Sequence, residues 1–141
     1  MRWSEIENDV WTIPVERSKN GLAHALPLPP PAMQIIERVP QWGGRDWLFG
    51  VSGEGYRHWS ASKVELDERS GVKGWVIHDL RRTTATRMAD LKVSPHVIET
   101  VLNHISGHRA GVAGIYNRST YVDEVRAALE RWASHVEKLV A

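Results

Sequence analysis

The chain contains no cysteine, which excludes disulfide staples and thiolate metal sites and fits a reducing cytoplasm. No apolar run approaches the roughly 20 residues that a membrane span needs, and the opening "MRWSEIEND" has no apolar signal-peptide segment. These absences predict a cytoplasmic protein with no membrane partner. Excess charge is missing as well: 18 Lys and Arg face 17 Asp and Glu, for a net charge of +1. Any surface for a polyanion must therefore come from local clustering, with seven histidines as a titratable reserve. Internal repeats and low-complexity tracts are also absent.

What is present is globular. Hydrophobic residues make up 42% and charged residues 25% of 141 positions, with seven Trp, enough for one domain around one core and too little for two. A single domain over residues 1–141 is expected, with a hairpin at about 10–28, a helical core at about 29–117 and a C-terminal helix at about 120–140.

Two β-like runs, residues 10–14 and 23–28, flank a polar turn with Ser18, Lys19, Asn20 and Gly21, which predicts a β-hairpin with Lys19 near its tip. The prolines at 29, 30 and 31 can seed a helix with Met33, Ile35, Ile36 and Val39 on its apolar side, stopped by Pro40. "DWLFG" reads as a short strand or buried run and "SGEGYR" as a loop. A helix over 59–69 is closed by Ser70 and Gly71. The next, over about 79–91, places Leu80, Thr84, Met88 and Leu91 on one face. Ser94 and Pro95 open a helix with Val97, Ile98, Val101 and Leu102 turned inward. The last carries Val122, Val125, Leu129, Trp132, Val136 and Leu139 at spacings of three and four, a heptad-type seam. The fold class predicted is mainly α with a small antiparallel β-sheet near the N-terminus.

In "VIHDLRRTTATRMA", His78 and Arg81 are three residues apart at a helix start, so both can project toward one anion, helped by the free N–H groups there. The plain alternative makes Arg81 and Arg82 solvated charges paired with Asp79 or Glu, and His78 a capping residue. The surroundings decide between them. Lys19 lies in a hairpin turn, "HDLRRT" opens a helix, "LNH" ends the next with His104, and Tyr116 follows in "GIYNR" after a glycine-rich stretch.

That ordered series resembles the tyrosine recombinases, specifically the integrases of temperate phages and genomic islands, and the likeness runs over essentially the whole chain. It implies the tyrosine recombinase catalytic-domain fold and site-specific recombination of double-stranded DNA attachment sites, by strand cleavage and rejoining through a 3′-phosphotyrosyl intermediate, in a bacterial cytoplasm. It also implies no cofactor and no metal.

Physical chemistry explains the residue types. A phenol with a pKa of about 10 is a poor nucleophile at neutral pH, and the pentavalent phosphate carries charge that guanidinium and imidazole donors can match. By resemblance, Tyr116 is the nucleophile, Arg81 clamps the phosphate, His78 assists by hydrogen bonding or proton transfer, and His104 donates to a phosphate oxygen. Lys19, on the hairpin tip, protonates the departing 5′-oxygen. Gly107, Gly111 and Gly114 would let the Tyr116 segment move. The rival Tyr121, at the start of the last helix, is expected to pack there instead. Arg82, Lys19 and Arg118 are the expected DNA-backbone contacts, and the last helix is expected either to complete its own core or to dock on a neighbour in a tetrameric synapse.

Two features qualify the resemblance. The family has another catalytic arginine, in an "ARxxE"-like helix before the segment that here begins "MRWSEIE"; Arg2 falls after that motif and does not fill the role. A piece of a longer integrase, or a remnant that has lost activity, is therefore expected, with negligible recombination alone. The spacing of twelve residues from His104 to Tyr116 is longer than in many tyrosine recombinases. Two other functions compete: a DNA-binding or protein-interaction module built on the helix-turn-helix-like "RMADLKVSPHVIETVLNH", which leaves Tyr116 without a task, and a metal hydrolase using His78, Asp79 and His104, which lacks ligand-type spacing.

Overall fold

The computed structural model describes residues 1–50, 53–104 and 121–141. Three short strands, β1 (Ile6–Glu7), β2 (Val10–Ile13) and β3 (His24–Pro27), form one antiparallel sheet in the order β1-β2-β3. The expected hairpin is β2 and β3, in register from Val10 opposite Pro27 to Ile13 opposite His24. Pro27 is tolerated because β3 is an edge strand. The strand β1 went unforeseen: two residues are too few for alternation to show. Asn8 and Asp9 make its turn into β2 with φ of 49° and 58°, a two-residue turn whose left-handed positions suit Asn and Asp.

Helix α1 (Pro30–Glu37) starts on its prolines. Ile36 is buried but Ile35 is 63% exposed, so Ile35 does not belong to the apolar side. Helix α2 (Trp59–Ser70) ends at Gly71, whose φ of 70° provides the left-handed cap. Lys63 sits 4.1 Å over the Trp75 ring, tying α2 to the segment that leads into α3 (Ile77–Asp90). Helices α4 (Pro95–Val101) and α5 (Tyr121–Val140) complete the described α-helices. In the "DWLFG" run Leu48 is buried, and Trp47 bridges to Arg2.

The core lies between α3, α4 and α5, with Met88, Val93, Val97, Ile98, Leu102, Val125 and Ala128 buried and Ala85, Val101, Leu129 and Trp132 packed against them. Two expectations need correction. Leu80 is 58% exposed and does not anchor α3. At 3.6 residues per turn it points ~80° away from Met88, whereas Arg81 lies within ~20° of it. The inward line of α3 therefore runs through Arg81, Ala85 and Met88. In α5 only the middle of the seam is packed; Val122 is 51% and Leu139 70% exposed.

The fold is mainly α with a small antiparallel sheet near the N-terminus. Among the described residues, no helix is long and apolar enough to cross a membrane.

Candidate functional site

The end of α4 is where the predicted residues converge. Its carboxyl terminus closes as a Schellman motif: the N–H of His104 donates to the Glu99 carbonyl at 2.9 Å and that of Asn103 to the Thr100 carbonyl at 3.0 Å. Asn103 takes the left-handed position with φ 53°. Residues 102, 103 and 104 then each hold a different partner.

Leu102 buries its side chain in the core and offers its carbonyl to the Arg81 guanidinium. This bond spends one of the five N–H donors of Arg81 and leaves the others for an anion. Arg81 is half-buried, as its inward register on α3 requires.

Asn103 accepts from the Asn20 amide at 2.7 Å and donates to the Ser18 hydroxyl at 3.3 Å. The turn that carries Lys19 is thereby held against the end of α4, with Lys19 itself exposed. His104 is exposed too, and its Nδ1 lies 3.2 Å from the Glu99 carboxylate. That contact orients the ring and leaves Nε2 as the nitrogen for a ligand.

His78 stands exposed in the first turn of α3, one turn before Arg81. Not all of that helix start is open to an anion. The Asp79 carboxylate accepts from the Val76 N–H at 3.0 Å and pairs with Arg82 at 3.1 Å. The Val76 N–H first, then the Arg82 charge, hold the Asp79 carboxyl below its ordinary range. The two arginines of the motif thus separate: Arg81 is seated in the protein, while the Arg82 side chain is 74% exposed. Arg82 lines an open groove with Asp79, Thr83, Thr86 and Arg87.

The structure therefore brings Arg81, His104 and the Lys19 turn to one place, with His78 on the same helix as Arg81. Tyr116, Arg118, the three glycines of the loop and the side chain of Tyr121 lie outside the described residues. Arg2 stacks on Trp47 at 4.5 Å and donates its backbone N–H to Glu5, a packing role. Asp79, invoked as a metal ligand, is committed to capping α3 and to Arg82, and no ligand-like cluster of His, Asp and Glu occurs among the described residues. Asn20 and Asn103 were missed as site residues. Their only sequence signal is adjacency, Asn20 to Lys19 and Asn103 to His104.

The profile of the phage integrase family matches residues 1–122. The chain belongs to the phage integrase family. It is similar to prophage integrase IntA of Escherichia coli (strain K12), at 31% identity over 96% of this chain and 34% of that protein. It is also similar to prophage integrase IntZ of the same organism, at 26% identity over 99% of this chain and 35% of that protein. The chain thus spans about a third of the length of these curated relatives. No solved structure matches it. As an integrase-family chain it carries, in this order, the lysine turn, the "HDLRRT" helix and the "LNH" helix end that the resemblance to tyrosine recombinases rests on.

Proposed function

We propose that this chain is the catalytic segment of a site-specific DNA recombinase that cleaves and rejoins strands through a 3′-phosphotyrosyl intermediate. The observation that carries the reading is the meeting of Arg81, His104 and the Lys19 turn at residues 102–104, donors suited to a phosphodiester, with Lys19 and His104 exposed.

In this mechanism Arg81 and His104 bind the non-bridging oxygens of the scissile phosphate and stabilise the charge that grows on them. The Tyr116 phenol gives its proton to His78 as its oxygen bonds to phosphorus. The bond from phosphorus to the 5′-oxygen breaks, and that oxygen takes a proton from Lys19. The phosphoryl bond is kept in the phosphotyrosine, so rejoining by the reverse steps needs no nucleotide and no metal. Arg82, Lys19 and Arg118 contact the DNA backbone, and the exposed end of α5 docks on a neighbouring protomer in a tetrameric synapse. No segment of residues 1–141 matches the "ARxxE" motif, so the chain alone is expected to turn over little.

The test is covalent capture of a nicked suicide attachment-site DNA by an extended polypeptide in which a family segment bearing the "ARxxE" helix precedes this chain. A denaturant-resistant adduct that disappears in Tyr116→Phe, persists in Tyr121→Phe and forms in chelator supports the reading. An extended polypeptide that binds DNA with the usual salt dependence yet never forms the adduct makes the chain a binding remnant.

A further inference from the structure

We infer that Asn20 and Asn103 are positioning residues, a latch that holds the Lys19 turn at the end of α4 beside His104. The inference rests on the reading of Lys19 as the proton donor to the leaving oxygen.

The latch joins residues 83 apart in sequence. The Asn20 amide donates to the Asn103 side-chain oxygen at 2.7 Å, and the Asn103 amide donates to the Ser18 hydroxyl at 3.3 Å. The Ser18 hydroxyl in turn donates to the Asn20 side-chain oxygen at 2.7 Å, which also accepts the Leu22 N–H at 3.1 Å. The Gly21 N–H closes the turn on the Ser18 carbonyl at 3.1 Å. Ser18, Asn20 and Asn103 are half-buried while Lys19 between them is exposed, so the network grips the turn on both sides of the lysine and leaves its side chain to solvent.

The connection of residues 14–23 between β2 and β3, without such a grip, would sample many positions, and a donor amine on it would seldom stand where the leaving oxygen forms. Asn103 is suited to the task twice over. Its backbone takes the left-handed position that ends α4, which Asn tolerates better than other side-chain-bearing residues, and its amide supplies both an acceptor and a donor. Residues 102–104 at the end of α4 therefore set the Arg81 guanidinium, the lysine turn and His104 with respect to one another.

The leaving group separates a latch from a general structural role. A 5′-oxygen must be protonated as it departs, whereas a 5′-sulfur leaves as a thiolate and needs no acid. Asn103→Gly keeps the left-handed backbone and removes the amide; Asn20→Ala removes the other half. Both are assayed with Lys19→Ala in the extended polypeptide, on suicide DNA with a bridging 5′-oxygen or 5′-sulfur at the scissile phosphate. Expected is slower capture on oxygen, about 10- to 100-fold for the latch variants and more for Lys19→Ala, with near-parental rates on sulfur for all three. In the unextended chain, hydrogen exchange at the Leu22 amide should quicken in both latch variants. Latch variants at parental rate on oxygen, or slowed equally on both substrates while Lys19→Ala is rescued by sulfur, overturn the latch alone. Failure of sulfur to rescue Lys19→Ala overturns the proton-donor assignment and the latch with it.

Discussion

Arg81 donates its guanidinium to the backbone carbonyl of Leu102, whose own side chain is part of the buried core. The guanidinium proposed to bind phosphate is thus tied to the backbone of a core residue.

Arg81→Lys should preserve charge and lose function. An ammonium cannot hold the Leu102 carbonyl and two phosphate oxygens in one plane. Covalent capture in the extended polypeptide should fall roughly 10²- to 10³-fold, with the melting temperature changed by only a few degrees. Capture at near-parental rate in Arg81→Lys would count against a bidentate clamp.

Met88 is fully buried where α3 meets α4 and α5, whereas Leu80 on the same helix is 58% exposed. Urea unfolding of the chain should show a loss of about 2–5 kcal/mol for Met88→Ala and a change within about 0.5 kcal/mol for Leu80→Ala. Equal losses would contradict the inward register assigned to α3.

Acid should weaken the start of α3 through Asp79. Its carboxyl lies below its ordinary value when folded, held there by the Val76 N–H and the Arg82 charge. Because the folded value is the lower one, the stabilisation is complete above the ordinary carboxylate range, about 4, and is lost as pH falls through the folded value. Melting curves from neutral pH downward should show a gap between the parent and Asp79→Asn that closes at the acid end. A gap that stays constant across the range refutes the linkage.

Arg82 and Arg81 should part in DNA binding. Arg82→Ala is expected to lower affinity for all duplex sequences alike and to reduce the salt slope by about one, while leaving the rate of capture at saturating DNA unchanged. A fall in that rate would move Arg82 into the reacting group.

Leu139, 70% exposed near the end of α5, offers apolar surface that the domain does not cover. Leu139→Asp should leave urea stability within about 0.5 kcal/mol of the parent and abolish tetrameric synapses of the extended polypeptide on DNA, read by light scattering. Intact tetramers would remove this end of α5 from the interface.

Much of the domain is legible in its sequence. The proline starts of α1 and α4, the glycine close of α2, the hairpin and the long last helix all follow from local rules, because caps, fixed φ angles and apolar periodicity act within a few residues. Leu80 and Ile35 misled for the same reason: periodicity says that a helix has an apolar face, but only the neighbours decide which part of that face is covered.

What the sequence by itself determined was the family, the order of Lys19, His78, Arg81, His104 and Tyr116 along the chain and, for the first four, the types of element that carry them. What only the tertiary structure decided was the division of labour between two adjacent arginines and the joining of the Lys19 turn to the end of α4. Arg81 and Arg82 are chemically alike, and 100° of helix rotation sends one to the Leu102 carbonyl and the other to solvent. Asn20 and Asn103 are ordinary turn and cap residues in sequence, and their pairing across 83 positions exists only once the sheet and the helical core have packed together.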